Sequence, residues 1–286
     1  MHRFLTSLKN FNELVMFQHS IFSLPFIFIA MIVSAGGWFG WYLLFMGALA
    51  AVTARNFAMG INRDADRHID IKNPRTAGRP SVDGRISATA MLLFTLVNAA
   101  GFVAVAYFIN DLAFYLSVPI LAVLGSYSYF KRFSALAHII LGISLGLAPI
   151  AGVVAVEAAI PLWSVYLSVG VLFWVAGFDL LYSLQDIEFD QDEGLHSIPS
   201  RFGAKNTFRI AQLFHLLTII FWSLFVTQAD LGLFAYLAVI FSALMLAYEH
   251  YLVNKDFTKI DRAFFTINGY LGIIFIILII IEKASL

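Results

Sequence analysis

Two groups of acidic residues, far apart in an otherwise apolar chain, have the residue types and spacing of a metal site. The first group comprises Asn62, Asp66 and Asp70. The second comprises Asp179, Tyr182, Asp186 and Asp190. Most members of each group recur every four residues, so on a helix they lie on nearly one face. Carboxylates crowded on one face repel each other unless positive charge lies between them. Mg²⁺ prefers such oxygen ligands and shares them with phosphates, so two groups predict paired magnesium ions and a diphosphate substrate.

The composition is that of a membrane protein with several spans. Of the 286 residues, 60% are hydrophobic and only 13% are charged, which does not describe a soluble domain. Cysteine is absent, which excludes disulfides, thiolate metal sites and a cysteine nucleophile. The net charge is zero, and we expect no nucleic-acid partner. A diphosphate handled beside a lipid bilayer is most simply a polyprenyl diphosphate.

Apolar runs long enough to cross about 30 Å of hydrocarbon occur nine times. They fall near 12–35, 39–60, 87–110, 112–130, 134–156, 161–185, 206–228, 230–253 and 261–282. We therefore expect an all-α polytopic membrane protein, with nine transmembrane helices around a central cavity that opens to the cytoplasm. The whole chain, 1–286, is expected to form a single domain, and its first apolar run is expected to be a retained span.

Positive charge is concentrated before the first span and in every second link. The residues concerned are Arg3, Lys9, Arg63, Arg67, Lys72, Arg75, Arg79, Arg85, Lys131, Arg132, Arg201, Lys205, Lys255 and Lys259. The opposite links carry Asp111, Glu157 and Asp230 and no lysine or arginine. By the positive-inside rule, the N-terminus and the two long polar loops, 61–86 and 186–205, are cytoplasmic. We predict a multi-pass protein of the inner (cytoplasmic) membrane.

The two acidic runs, 62–70 and 179–190, resemble the two aspartate motifs of the UbiA superfamily of membrane prenyltransferases, NxxxDxxxD and DxxYxxxDxxxD. The resemblance extends over the whole chain, since that family also has nine helices with both motifs on cytoplasmic loops. The segments 18–26 and 73–80 are similar to bacterial 4-hydroxybenzoate polyprenyltransferases and their relatives in menaquinone synthesis. One residue departs from the pattern: many members have Asp directly after the motif Asn, where this chain has Arg63. This departure leaves the acceptor class open.

The resemblance implies a ligand set for two Mg²⁺ ions that bridge the diphosphate. The four ligating residues would be Asp66, Asp70, Asp186 and Asp190. Asn62 and Asp179 would be additional ligands or would hold the ligands in place. Asp179 also stands out on its own, because an acid inside a strongly apolar helix is costly and predicts a function. It is the only acid that we expect to be buried within a span.

Basic and aromatic residues near the two motifs are the candidate substrate-binding groups. Arg75, Arg79 and Lys131 would contact the diphosphate oxygens as charged donors. Lys131 could instead be an ordinary lysine that reaches the membrane surface. Tyr127 and Tyr182 could face an allylic cation and stabilise it through their rings, although aromatic residues are also common at membrane interfaces.

Arg55 lies about two turns before Asn62 on the same helical face, within a predicted span. It could meet the carboxylate of the acceptor or an inward-facing acid. The histidines are scattered and none has the spacing of metal ligands. A structural role is favoured for His138, His215 and His250. His19 is the exception, because it lies in the family-like opening segment.

The reaction implied is the Mg²⁺-dependent transfer of a polyprenyl group to an aromatic acceptor such as 4-hydroxybenzoate, in ubiquinone or menaquinone biosynthesis. Other acceptors of the superfamily remain open: 1,4-dihydroxy-6-naphthoate, a haem vinyl group, a chlorophyllide or a glycerol phosphate ether. A secondary transporter is the alternative from another class, but its coupling acids should lie near the bilayer midplane. Here nearly all acids lie at one face. A lipid phosphatase would need a base or nucleophile beside the metals, which the sequence does not offer.

Overall fold

A computed structural model describes residues 2–15, 22, 24–256, 260 and 263–285. The regular elements are α-helices, joined by a 3₁₀ turn at Ser183–Asp186 and a π turn at Ala263–Ile267. The helices are α1 His2–Val15, α2 Leu24–Ala35, α3 Trp41–Ala65, α4 Arg67–Asp70, α5 Ala88–Ile109, α6 Asp111–Phe130, α7 Ala137–Glu157, α8 Leu162–Tyr182, α9 Ile187–Asp192, α10 Ile198–Gln228, α11 Leu233–Lys255 and α12 Asn268–Ala284.

The prediction of an all-α, multi-pass membrane protein is confirmed. Within the described residues, eight segments are long and apolar enough to cross a membrane, and they correspond to the predicted spans from 39–60 onward. The first predicted span, 12–35, is not one continuous described helix. Its residues 16–21 and 23 lie outside the described part of the chain, and α2 has only 12 residues. The count of nine transmembrane helices therefore stays a prediction.

Helices α7 and α8 approach each other closely because two glycines face the contact. A Cβ atom on Gly142 would lie 2.4 Å from the carbonyl oxygen of Leu172, and one on Gly146 would lie 2.9 Å from that of Ser168. Small residues four apart let helix backbones come together in a membrane. The first turn of α7 is thereby brought against the last turns of α8.

Helix α10 consists of two parts that meet at a break. Gly203 has φ 75° and ψ 166°, a combination that glycine adopts without strain. The short part before the break begins with a capping box, in which the side chains of Ser197 and Ser200 each accept from the other's backbone N–H. The long part after it matches the predicted span 206–228.

Two acids outside the aspartate motifs are buried, whereas the side chain of Asp179 is 22% exposed, so the expectation that Asp179 alone would be buried is wrong. Glu249 is 1% exposed and accepts a hydrogen bond of 2.7 Å from Asn268. Glu282 is 5% exposed and accepts from the backbone N–H groups of Gly232 and Phe234, at 2.6 and 2.9 Å. Both carboxyl groups therefore have polar partners on neighbouring segments of the chain. A hydropathy profile of the sequence cannot reveal such partners.

Candidate active site

The first acidic group keeps its helical register through a change of helix. Helix α3 ends at Ala65 and α4 begins at Arg67. The backbone N–H of Asp66 still donates to the carbonyl of Asn62 (2.9 Å), and that of Asp70 donates to the carbonyl of Asp66 (2.8 Å). The four-residue spacing therefore keeps all three side chains on one face, as predicted.

Each aspartate of the first group faces a cation. Oδ2 of Asp66 accepts from Nζ of Lys131 at 2.7 Å and from Nδ2 of Asn62 at 3.0 Å. Oδ2 of Asp70 lies 2.6 Å from Nη1 of Arg79. Both aspartates are buried, with 3% and 5% exposure. Paired cations compensate the charge of carboxylates held out of water.

Arg63, the residue that departs from the family pattern, is buried and fixes the orientation of Asn62. Its Nη1 donates to Oδ1 of Asn62 at 3.2 Å, and its Nε donates to the carbonyl of Leu14 at 3.3 Å. The amide nitrogen of Asn62 is left to donate to Asp66 and to Oγ of Ser128 (3.1 Å). The amide oxygen of Asn62 thus serves a guanidinium, and its nitrogen serves the aspartate.

The second acidic group follows α8 into the 3₁₀ turn and α9. Asp186 ends that turn and is held by Arg75 from the other loop, with Nη2–Oδ2 at 2.6 Å and Nε–Oδ1 at 3.2 Å. Nη1 of Arg75 also donates to the hydroxyl of Tyr182 at 3.2 Å. Burial lowers the pKa of Arg75, but the charge of Asp186 and the contact with Tyr182 outweigh burial and raise it above its ordinary value.

Both groups line a single cavity of about 260 Å³. The predicted site residues on its wall are Asn62, Asp66, Asp70, Arg75, Arg79, Tyr127, Lys131, Asp179, Tyr182, Asp186 and Asp190. Residues more than 100 positions apart in the chain therefore surround one space. The two polar loops meet there, since Lys72 of the first also pairs with Glu193 of the second at 2.6 Å.

Arg55 lies apart from this polar cavity. It lines a second, apolar cavity of about 180 Å³ between α2, α3, α5, α6 and α7. Its Nη2 donates to the carbonyl of Val15, at the end of α1, at 3.0 Å. Tyr127 and Leu141 line both cavities, so the two spaces adjoin there.

His138 is a site residue that sequence reasoning missed. Its Nδ1 lies 2.7 Å from Oδ2 of Asp179, and the residue is on the wall of the polar cavity. No spacing in the sequence connects these residues, which are 41 positions apart. The available signal was a histidine in the first turn of a span beside the basic link 131–132. His19, the histidine that the sequence favoured, lies outside the described residues.

The residues at the cavity suit a magnesium ion in kind. Carboxylate oxygens come from both motifs, and Oδ1 of Asp66 is buried with no hydrogen-bond partner among the described residues, although Nη2 of Arg132 lies 3.9 Å away. Such an oxygen is available for a cation, and oxygen is the ligand that Mg²⁺ prefers. Among those residues no three acidic or histidine side chains converge closely enough to share an ion, because the aspartates face lysine and arginine instead.

The chain is similar in sequence and in fold to several known proteins. The 4-hydroxybenzoate octaprenyltransferase of Actinobacillus pleuropneumoniae serotype 5b (strain L20) is 30% identical over 255 residues, covering 87% of this chain and 86% of the relative. The apo structure of a UbiA homolog from Aeropyrum pernix K1 is 32% identical with a TM-score of 0.84, covering 92% of this chain and 98% of the other. A UbiA homolog from Archaeoglobus fulgidus, bound to GPP and Mg²⁺, has the same fold, with a TM-score of 0.78 at 20% identity and coverage of 96% and 99%. Residues 23–277 match the UbiA prenyltransferase family, and the chain therefore belongs to that family.

Proposed function

We propose that this protein transfers a polyprenyl group from a polyprenyl diphosphate to an aromatic acceptor that carries a carboxylate, such as 4-hydroxybenzoate. One observation carries the proposal: acids of both motifs and four cationic side chains surround a polar cavity that adjoins an apolar one. The polar cavity suits a diphosphate with metal ions, and the apolar cavity suits the aromatic acceptor and the adjoining end of the prenyl chain. The relative from Actinobacillus pleuropneumoniae bears the name of that reaction.

Two Mg²⁺ ions would be held by Asp66, Asp70, Asp186 and Asp190. The Archaeoglobus fulgidus relative is bound to Mg²⁺ together with a prenyl diphosphate. When bound, the ions neutralise charge on the departing diphosphate and weaken its bond to carbon. Asn62 and Asp179 stand outside this set, because Asn62 turns its nitrogen toward Asp66 and Asp179 holds His138. Both residues support the ligands or the substrate rather than the metal.

The cations of the cavity bind and orient the diphosphate. Arg75, Arg79 and Lys131 line the same wall as the aspartates with which they pair. With Mg²⁺ bound, each of these cations would be free to turn from its carboxylate to a diphosphate oxygen. The rings of Tyr127 and Tyr182 also line the cavity, where their faces stabilise positive charge developing on the first carbon of the prenyl chain.

Arg55 would bind the carboxylate of the acceptor. Its guanidinium lies at the wall of the apolar cavity, in which Tyr127 is its polar neighbour toward the motifs. A guanidinium forms a planar fork that matches a carboxylate. An acceptor held there would present its ring toward the junction of the two cavities, where the prenyl carbon becomes reactive.

The orientation proposed for the chain places both motif loops in the cytoplasm and the C-terminus on the other side of the inner membrane. The distribution of lysine and arginine over alternate links supports it. An accessibility tag attached after Leu286 should be reached from outside the inner membrane. A tag reached from the cytoplasm alone would contradict the proposed odd number of spans.

The direct test is an assay with membranes that contain the protein, a radiolabelled polyprenyl diphosphate and a panel of acceptors. The panel comprises 4-hydroxybenzoate, 1,4-dihydroxy-6-naphthoate and a glycerol phosphate ether. We expect label to join a carboxylate-bearing aromatic, with membranes containing Asp66→Ala as the matched control. Transfer to the glycerol phosphate ether alone would contradict the proposal, as would label that joins no acceptor while the prenyl diphosphate is consumed.

A further inference from the structure

We propose that His138 is a catalytic residue of this chain, whose Nε2 accepts the hydroxyl proton of the aromatic acceptor as the new carbon–carbon bond forms. The inference rests on the proposed function and extends it by naming the group that takes the proton. Its basis is the geometry around His138, which combines a fixed ring, a buried nitrogen and a position on the wall of the polar cavity, one helical turn from Leu141 at the border with the apolar cavity.

The ring of His138 is fixed by Asp179. A carboxylate can only accept a hydrogen bond, so Nδ1 of the neutral imidazole carries the proton at the 2.7 Å contact with Oδ2. Nε2 then presents a lone pair. The side chain of His138 is 8% exposed and that of Asp179 is 22% exposed, so water competes little for this contact. The arrangement gives Asp179, an acid within an apolar helix, a definite task.

Nε2 of His138 is buried and has no hydrogen-bond partner among the described residues. A buried polar nitrogen without a partner is unfavourable, by roughly 1–3 kcal/mol, unless something binds it in use. An acceptor hydroxyl would satisfy it. Glutamine or asparagine at this position could offer a hydrogen bond but could not take up a proton at neutral pH, so the imidazole is the informative feature.

The position of His138 along α7 places it where the substrates must meet. His138, Leu141 and Leu145 occur at intervals of three and four residues and share one helical face. His138 lines the polar cavity, Leu141 lines both cavities and Leu145 lines the apolar one. The same face of α7 therefore passes from the diphosphate space to the acceptor space, and His138 stands on the diphosphate side of that border.

The step balances without any further reagent. A ring carbon next to the hydroxyl attacks the first carbon of the prenyl chain, and the carbon–oxygen bond to the diphosphate breaks with its electron pair leaving on the diphosphate. The hydroxyl proton passes to Nε2 of His138, which leaves a dienone. The dienone returns to a phenol by loss of the ring proton and gain of one on oxygen. His138 releases its proton to water after the products leave.

The test compares His138→Gln with wild type and with His196→Gln, a control at an exposed histidine in the second polar loop. With 4-hydroxybenzoate as acceptor, kcat of His138→Gln should fall by about 100-fold or more, the usual range for loss of a general base. The KM for the prenyl diphosphate should change by less than about threefold, because the diphosphate site is intact. The control should retain the wild-type kcat.

A second acceptor separates proton transfer from a merely structural role. The hydroxyl of 3-fluoro-4-hydroxybenzoate is more acidic than that of 4-hydroxybenzoate, so loss of its proton depends less on a base. The fall in kcat caused by His138→Gln should therefore be clearly smaller with the fluorinated acceptor. An equal loss with both acceptors would overturn the proton role. If His138→Gln does not fold, Asp179→Asn serves instead, with a smaller loss of kcat and the same dependence on acceptor acidity.

The outcomes also distinguish this inference from the proposed function. A wild-type enzyme that prenylates the aromatic, together with an unimpaired His138→Gln variant, overturns the role of His138 alone. A wild-type enzyme that prenylates no hydroxylated aromatic overturns the proposed function, and the role of His138 falls with it.

Discussion

The two aspartate motifs line one cavity but are built in different ways. In the first motif the side chains of Asp66 and Asp70 are 5% and 6% exposed. In the second, those of Asp186 and Asp179 are 19% and 22% exposed. The first motif extends a long helix, whereas the second continues through a 3₁₀ turn and a helix of six residues. One motif is therefore part of the packed bundle, and the other lies at its rim.

The cation partners of the two motifs also differ in position and exposure. Asp66 is paired with Lys131 at the end of a neighbouring span, and Arg79 reaches Asp70 within one loop. Asp186 is paired with Arg75, which is 37% exposed and comes from the opposite loop. Breaking a buried ion pair leaves an uncompensated charge, while an exposed pair is exchanged at little cost. The first motif is therefore held by more deeply buried ion pairs than the second.

The largest effect is expected from alanine substitutions of the motif aspartates, which should distinguish loss of activity from loss of stability. Asp66→Ala and Asp186→Ala should each abolish prenyl transfer, because each removes a proposed oxygen ligand of the metal. Only Asp66→Ala should also lower the free energy of unfolding, by roughly 1–3 kcal/mol, since it removes a buried carboxylate that accepts from the partly buried Lys131 and Asn62. Activity assays and thermal unfolding in detergent measure the two effects. The exposed Asp64 is the control, and an Asp64→Ala variant as inactive as Asp66→Ala would mean that the assigned register is wrong.

Removal of divalent metal should abolish prenyl transfer, because both motifs are proposed to act through the metal ions. Carboxylates from both motifs would share the ions with the diphosphate, so neither motif can bind the substrate productively alone. Transfer should stop in excess chelator and return when Mg²⁺ is restored. Measurable turnover in excess chelator would exclude the metal assignment for both motifs.

A moderate effect is expected at Arg75. Arg75→Lys keeps the charge but loses the two-pronged contact, so the KM for the prenyl diphosphate should rise by about tenfold while stability stays near that of wild type. Arg201→Lys, at an exposed arginine of α10, is the control. A large loss of stability in Arg75→Lys would show that the second motif is as rigid as the first.

Arg55 belongs to neither motif, and its substitution should change a different kinetic constant from substitutions in the motifs. Arg55→Lys should raise the KM for the aromatic acceptor several-fold and leave that for the prenyl diphosphate unchanged, because only the carboxylate contact loses its fork. Steady-state kinetics with each substrate varied in turn will separate the two constants. A rise in the KM for the diphosphate would assign Arg55 to the diphosphate site instead.

The smallest effect is expected at the surface ion pair between the two loops. The side chains of Lys72 and Glu193 are 56% and 27% exposed, and such pairs contribute on the order of 0–1 kcal/mol. Lys72→Ala should leave kcat within about twofold of wild type, with little change in the unfolding temperature. A large loss of activity would show that docking of the loops, rather than Arg75, governs the second motif.

Much of the fold follows from local features of the sequence. Hydropathy alone predicts the spans from 39–60 onward, and the four-residue spacing predicts that Asn62, Asp66 and Asp70 share a face. The break in α10 was not predicted, because a single glycine such as Gly203 does not show whether its φ is positive. The burial of Glu249 was not predicted either, since its partner Asn268 lies on another helix.

The sequence predicted those residues of the candidate site that recur at regular spacing. It missed His138, which belongs to no such repeat. His138 is a single histidine whose meaning depends on Asp179, and their contact requires the close approach of α7 and α8 at Gly142. The pairing of Arg75 with Asp186 depends on how two loops meet. Contacts of this kind are fixed by packing between distant segments, which spacing along one segment does not encode.

The wall shared by the two cavities bears on fidelity as well as rate. Tyr127 and Leu141 lie at the border between a polar space and an apolar one, so a prenyl carbon that loses its diphosphate there would face hydrocarbon and an aromatic ring rather than bulk solvent. Water is the competing nucleophile for that carbon, and its capture yields free prenyl alcohol. An enclosed, apolar border keeps such side reactions low. The yield of prenylated product per diphosphate consumed is therefore a property of this wall, separate from the speed at which the diphosphate departs.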